Sequence, residues 1–193
     1  MTGTPVCAQA EANRAALVET ASRLFRQKGI DGVGVAEISK SAGLTHGALY
    51  AHFPSKEALA WSLEQGNAKL YTGTVDGEPD LDRFLCDYLS LDKRDNYAEH
   101  CAMAASASEI GRQDAATSAK FTEGYMVLVR AFERRVAANN PGVDALATAM
   151  GIVAAMIGAL SVARATAKAR PEVSAQVLRG VRHVIDAAPG KPV

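Results

Sequence analysis

The chain has 193 residues, of which 48% are hydrophobic and 22% charged, and its 21 basic residues balance its 21 acidic ones. This composition is typical of a folded globular protein and excludes long intrinsic disorder. Zero net charge does not decide for or against nucleic acid, because a basic face can be compensated elsewhere on the molecule. Alanine supplies 37 residues and aromatic residues only 6%, a mixture that favours helix throughout and predicts an all-α fold.

The first predicted helix covers about residues 11–28, where Leu17, Ala21, Leu24 and Phe25 recur at helical spacing. Three glycines follow within residues 29–34. This segment predicts a tight turn rather than a phosphate-binding loop, because it lacks a preceding strand and the full GxGxxG pattern.

Two short helices are predicted next. Ile38 lies on the inner side of the first, and the second begins at Thr45, a residue type suited to a helix N-cap, and buries Leu49 and Phe53. Gly43 occupies the turn between them, so the pair forms a helix-turn-helix and residues 11–53 form a three-helix unit.

The rest of the chain is also predicted to be helical. A break is expected over residues 71–79 and a polar loop over residues 92–99. The predicted helices cover residues 56 onward, 80–91, 101–112, 114–138, 143–169 and 172–187. The total is about nine helices and no strand.

The segment between Asp144 and Arg164 contains 19 consecutive uncharged residues, about the length of a membrane span. Alanine, glycine, serine and threonine make up more than half of it, and no aromatic residue marks either end, so we interpret it as a buried helix of a protein that does not enter a membrane. With the apolar stripe of helix 172–187 it predicts a four-helix dimer seam. The predicted seam residues are Gly151, Gly158, Val177, Val181 and Val184.

Residues 35–59 resemble the DNA-binding signature of the TetR/AcrR family of bacterial transcriptional regulators. The resemblance is carried by Ala42-Gly43, Leu44, Thr45, Gly47, Leu49-Tyr50, His52-Phe53 and the Ser55-Lys56-x-x-Leu59 spacing. Ser39 stands where the family more often has alanine. The resemblance covers about residues 11–60 and implies a DNA-binding domain over residues 1–55, followed by a ligand-binding and dimerisation domain over residues 56–193.

The resemblance and the residue chemistry together predict the DNA-contacting side chains. Thr45 can cap its helix and reach a phosphate, and the leading turn of that helix would face base edges in a major groove. Tyr50 and His52 contact phosphates in the family, and Lys56 adds a charge at the next helix N-terminus. The predicted DNA-binding set is Thr45, His46, Gly47, Ala48, Tyr50, His52 and Lys56. Residues 1–60 carry six basic and five acidic side chains, so binding should need a dimer.

The larger domain is expected to hold a small-molecule effector in an apolar cavity. Aromatic and methionine side chains fill any helical core, so plain core packing is the default role of each candidate lining residue. The candidates are Trp61, Phe84, Tyr88, Cys101, Met103, Phe121, Tyr125, Met126, Met150 and Met156. Cys101 has a second interpretation as a reactive sensor thiol at a helix start, whereas Cys86 is expected in the core.

No enzyme motif, metal-ligand spacing or cofactor motif is present in the sequence, so neither catalysis nor a cofactor is expected. The first twelve residues lack the cationic start and apolar run of a secretory leader, which with three unpatterned cysteines favours the cytoplasm. The sequence thus predicts a homodimeric regulator, most simply a repressor, that binds a palindromic double-stranded DNA operator and is released by a small effector. The alternative is a helical ligand-binding or scaffolding dimer without functional DNA binding.

Overall fold

The structure is a computed structural model and describes residues 5–56, 58–60, 81–97 and 101–188. These residues form an all-α fold with no strand, as predicted. Their nine helices are α1 (Pro5–Lys28), α2 (Val35–Ser41), α3 (His46–His52), α4 (Leu81–Tyr88), α5 (Leu91–Asp95), α6 (Ala102–Ile110), α7 (Ala115–Asn139), α8 (Ala145–Ala167) and α9 (Pro171–Ala187). The predicted break at residues 71–79 lies outside the described residues.

Helices α1, α2 and α3 enclose a small apolar core of their own. Leu17 of α1, Ile38 of α2 and Leu49 of α3 are completely buried at its centre. Burial of one side chain from each helix fixes how the three helices pack, and each such side chain contributes about 1.5–3 kcal/mol. Helix α1 starts six residues earlier than the sequence predicted, at Pro5 rather than residue 11.

The larger core lies between α4, α6, α7, α8 and α9. Helix α8 packs most extensively against α9 and α7, and Phe132, Met156 and Leu160 are completely buried there. By length and composition α8 could cross a membrane. Its packing between α7 and α9, with Ala149, Val153 and Ala163 also fully buried, is that of the central helix of a protein core.

One helix lies where the sequence predicted a loop. Residues 91–95 form α5, which is capped by the Ser90 hydroxyl accepting from the Lys93 N–H at 3.1 Å. Arg164 of α8 donates to the carbonyls of Lys93 and Arg94 at 3.0 and 3.2 Å. The prediction was wrong because these stabilising contacts come from a distant helix and leave no apolar periodicity in a five-residue segment. The bounds of α4, α6, α7, α8 and α9 agree with the predictions to within about three residues.

The N-terminal core is completed by a residue from the larger part of the chain. Ile110, at the end of α6, is 4% exposed and packs among the residues of α1–α3. Beside it, the Glu109 carboxylate accepts a hydrogen bond from the Ile30 N–H at 2.7 Å. Gln113 also donates to Asp31 at 3.4 Å. The turn between α1 and α2 is therefore attached to α6.

Cys101 is buried, in line with the core-packing interpretation, whereas Cys86 does not lie where the sequence predicted. Cys101 is 1% exposed, and burial raises the pKa of its thiol. A raised pKa disfavours the reactive thiolate, which contradicts the sensor-thiol interpretation. Cys86, expected in the core, is instead exposed and lies 3.1 Å from Arg182 Nη1. It was misplaced because α4 turns its other face, with Phe84, Leu85 and Tyr88, into the core.

We expect Gly29→Ala to destabilise the protein more than Gly43→Ala. Both glycines have a positive φ, +78° and +70°, which costs an alanine about 1–2 kcal/mol. A Cβ at residue 29 would in addition overlap the Glu109 carboxylate, whereas one at residue 43 meets nothing within 4 Å. Urea unfolding of both variants tests this, with Gly34→Ala, which is open and has no positive φ, as the control. Equal losses at residues 29 and 43 would contradict the role of the Glu109 contact.

Candidate nucleic-acid interface

Helix α3 presents one face to the core and the other to solvent. Leu49 is completely buried, while Thr45, His46, Gly47 and Tyr50 are exposed. Ala48 lies at the boundary, half-buried. The exposed residues share one edge of α3 that begins at its N-terminus, the part of a recognition helix that reaches deepest into a DNA groove.

The turn between α2 and α3 is held by backbone hydrogen bonds. The Leu44 N–H donates to the Ser39 carbonyl at 2.9 Å, and the Gly43 N–H donates to the Lys40 carbonyl at 3.1 Å. Gly43 takes a φ of +70°, which a glycine adopts without steric cost. The resulting tight connection gives α2 and α3 the arrangement of a helix-turn-helix, as predicted.

Thr45 caps α3 in the way the sequence predicted. Its Oγ1 accepts from the Ala48 N–H at 3.3 Å, and its backbone is extended. The side chain is nevertheless exposed. The hydroxyl can therefore donate its proton outward while its oxygen caps the helix.

His46 and Tyr50, one turn apart on α3, stack on each other. Their ring centroids are 5.5 Å apart and the planes differ by 15°. Tyr50 is 53% exposed, an unusual degree for a large aromatic side chain. Stacking restricts both side chains before any ligand arrives, which lowers the entropy cost of binding through them.

His52 and Lys56 are less accessible than Thr45 and Tyr50. Both are half-buried, and the Lys56 ammonium donates to the Ile30 carbonyl at 2.8 Å. The sequence predicted a phosphate contact for Lys56 and gave no sign of this internal one. An ammonium has three donors, so the bond to Ile30 leaves donors for a second acceptor.

Arginine and lysine side chains of α1 lie around this surface. The Arg14 guanidinium sits 5.1 Å from the centre of the Phe53 ring, just beyond the end of α3. Lys28 pairs with Glu37 at 2.6 Å, so part of the positive charge of α1 is neutralised within the domain. The surface is therefore only weakly basic, in agreement with the charge tally of the sequence.

Comparison with known proteins identifies this unit. The family model for bacterial regulatory proteins of the tetR family matches residues 17–62, the range that includes α2, the turn and α3. The HTH-type transcriptional regulator AcrR of Shigella flexneri is 39% identical over 62 residues, which are 31% of this chain and 29% of AcrR. Residues 17–62 are therefore a TetR-type DNA-binding domain. The chain matches less than a third of the length of AcrR.

The whole described fold agrees with this assignment. The reduced form of E. coli NemR superposes with a TM-score of 0.72 at 20% identity, covering 89% of this chain and 95% of NemR. A TetR transcriptional regulator from Legionella pneumophila gives a TM-score of 0.72 at 18% identity, covering 89% and 94% of the two chains. Identities this low establish the fold alone. The TetR family is a family of regulators and not of enzymes, in line with the sequence prediction.

The predicted effector residues fall in several places. Phe121 and Tyr125 line a cavity of about 640 Å³ between α1, α6, α7 and α8, which we call the junction cavity. Phe84, Tyr88, Cys101, Met103 and Met156 are buried in the larger core, against which Met126 and Met150 are partly buried. Trp61 lies outside the described residues. The junction cavity also includes Glu109, Ser161 and Arg164, which residue type alone did not single out.

The predicted seam residues lie on neighbouring faces of α8 and α9. Gly151 and Gly158 are exposed on α8, and a Cβ at either would meet nothing within 4 Å. Gly158 also lines the junction cavity, whereas Gly151 and Val184 line a separate groove between α8 and α9. Val184 is 64% exposed, while Val177 and Val181 pack against the core.

Among the described residues, no three His, Cys, Asp or Glu side chains are grouped so that they could hold a metal ion. The carboxylate of Asp114 has a structural role. Asp114 caps α7, and the hydrogen bond from the Thr117 N–H at 2.7 Å lowers the pKa of its carboxyl.

We expect Thr45→Ala to lower the free energy of unfolding by about 1 kcal/mol, since it removes the α3 cap. Thr45→Ser keeps the hydroxyl and should retain most of that stability. Urea unfolding of the two variants beside the parent protein measures the difference. Equal stability of Thr45→Ala and the parent would show that the cap contributes nothing.

Proposed function

We propose that this TetR-family regulator is a cytoplasmic repressor that binds a palindromic double-stranded DNA operator as a homodimer and leaves it when a small effector binds. The observation that carries DNA binding is the exposed edge of α3. His46 and Tyr50 are stacked and presented to solvent there beside the exposed Thr45 cap. A side-chain set that serves only to stabilise the domain would not need a half-exposed tyrosine at that position.

The side chains on the exposed edge of α3 are suited to two kinds of DNA contact, with phosphates and with base edges. The hydroxyls of Thr45 and Tyr50 are donors suited to phosphate oxygens, which position the protein without reading sequence. His46 on the first turn can donate to or accept from base edges in the major groove. Gly47 lets the backbone of α3 approach DNA closely, since it has no side chain and a Cβ placed there would meet no other atom of the chain within 4 Å.

Dimerisation is supported by the solvent-facing side of α8. Ala147, Gly151, Ala154 and Gly158 are all exposed and all small, on a helix with no charged residue between Asp144 and Arg164. The exposed Val184 of α9 lines the same groove as Ala147 and Gly151. A second copy of the chain would cover this surface through close helix packing and pair the two α3 helices. The two recognition helices would need a separation of about 34–36 Å to enter successive major grooves.

Release by an effector is supported by the attachment of the α1–α2 turn to α6. The Glu109 contact with Ile30 and the packing of Ile110 connect the junction cavity to the core beneath α2 and α3. An effector that changes the position of α6 would thereby change the position of α3. Coupling of this kind is typically about 1–3 kcal/mol.

A gel-shift titration with DNA from upstream of the protein's own gene tests the proposal. Sequence-selective binding that weakens as salt rises supports a DNA-binding regulator. Absence of selective binding at low salt would refute it and favour the scaffolding dimer.

We expect Tyr50→Phe to weaken binding to operator and to non-specific DNA by a similar factor of about ten, because it removes a hydrogen bond to a charged phosphate. Tyr97→Phe, which deletes a tyrosine hydroxyl in the segment after α5 where the ring packs against Arg164 of α8, serves as the matched control. Fluorescence anisotropy with both DNAs measures the two affinities. Unchanged binding by Tyr50→Phe would contradict the phosphate contact.

We expect Val184→Arg to shift the dimer to monomer, because a guanidinium would be buried at the seam without a partner. Val127→Arg is the control, since Val127 is also exposed, at 40%, but lies on α7. Sedimentation velocity distinguishes the two species. A Val184→Arg protein that sediments like the Val127→Arg protein would contradict the proposed seam.

A further inference from the structure

The junction cavity extends along α8. Ala154, Ile157, Gly158, Ser161 and Arg164 of α8 all line it. They recur at helical spacing over ten residues, a length of about 15 Å. One wall of the cavity is therefore a straight strip of α8 that begins near small side chains and ends at a guanidinium.

The two ends of the cavity differ in chemistry. At one end, the Ser161 hydroxyl donates to the Ala104 carbonyl at 2.7 Å, which brings the start of α6 beside Arg164. At the other end, the Tyr125 hydroxyl donates to the Met150 carbonyl at 3.1 Å, which puts the aromatic pair of Phe121 and Tyr125 near Ala154. The aromatic end also contains Glu109, on the last turn of α6.

Arg164 is held in place before any ligand binds. It is 8% exposed, donates to the carbonyls of Lys93 and Arg94, and lies 4.5 Å from the centre of the Tyr97 ring. A fixed guanidinium at the buried end of a cavity attracts an acid group strongly, since water screens the charge little there. The described lining side chains include three cations, Arg26, Lys28 and Arg164, and one anion, Glu109.

We propose that the junction cavity binds an elongated organic anion. Its acid group lies at Arg164 and its apolar body runs along Ile157 and Gly158 to Phe121. At the Glu109 end the cations Arg26 and Lys28 of α1 offset the carboxylate, so it is the buried and pre-positioned Arg164 that fixes the direction of the ligand. This inference rests on the proposed function and gives the chemical class of the effector.

The direction of the ligand also explains how it would act on DNA binding. Its apolar end reaches the residues around Glu109, whose carboxylate holds the Ile30 N–H. Insertion of an apolar group beside that carboxylate raises the cost of keeping it in place, because a desolvated charge is destabilised. The α1–α2 turn is then less firmly attached to α6, and α3 moves with the turn.

Two fluorescent probes test the ligand class on the intact protein. The anionic 8-anilinonaphthalene-1-sulfonate and the neutral N-phenyl-1-naphthylamine share the same rings and differ in the acid group. We expect the sulfonate to bind at least about tenfold more tightly, the effect of a charge-assisted hydrogen bond. Equal dissociation constants for the two probes would overturn the assignment of an anion.

Two leucine variants of α8 test the site. Gly158→Leu adds a side chain to the cavity wall at a position where a Cβ meets no other atom within 4 Å, and it should weaken sulfonate binding by at least about tenfold. Gly151→Leu makes the same change on the same face of α8 outside the cavity and should leave sulfonate binding unchanged, while any effect on the dimer seam is common to both. Sulfonate binding that is equal in the two variants would overturn the location.

The coupling is tested by operator titration at saturating sulfonate, which should weaken DNA binding by about 5- to 150-fold in the parent protein. DNA affinity that is unaffected by bound sulfonate would overturn the effector assignment. The failure of the proposed function has a different signature. In that case the protein still binds the sulfonate more tightly than the neutral probe, but it shows no selective DNA binding when the sulfonate is absent.

Discussion

The hydrogen bond between the Glu109 carboxylate and the Ile30 N–H joins α6 to the turn between α1 and α2. It lies beside Ile110, whose burial in the N-terminal core ties the same turn of α6 to α1–α3. Residue 30 is in addition held from its carbonyl side by Lys56. The turn that precedes the helix-turn-helix is thus held at both the N–H and the carbonyl of one residue.

Most of the helical architecture could be predicted from the sequence. Several correct predictions depend only on residues close together in the chain. These are the helix cap at Thr45, the burial of Ile38 and Leu49, and the turn at Gly43. Local chemistry was sufficient because a short helix and its turn are determined by residues close together in the chain. The long helices α7, α8 and α9 were predicted for the same reason.

The contacts between distant segments could not be predicted. Helix α5 depends on Arg164, some seventy residues away in the chain, and the Glu109–Ile30 bond spans 79 residues. Side-chain type proved a poor guide to the cavity, because aromatic residues and methionine fill cores and line cavities alike. Phe121 and Tyr125 line the cavity, whereas Phe84 and Met156 pack the core. The sequence signal that could have drawn attention to the junction was a charged residue, Glu109, on an otherwise uncharged and alanine-rich α6.

The position of Ile110 bears on how this protein can be recombined with its relatives. A chimaera joined at residue 55 would receive its helix-turn-helix from one parent and the isoleucine that completes the core beneath it from the other. The carboxylate and the left-handed glycine that face each other across the junction would also come from different parents. Exchange of the DNA-binding domain between such regulators therefore requires that the last turn of α6 be exchanged together with α1–α3, although more than forty residues of chain separate them.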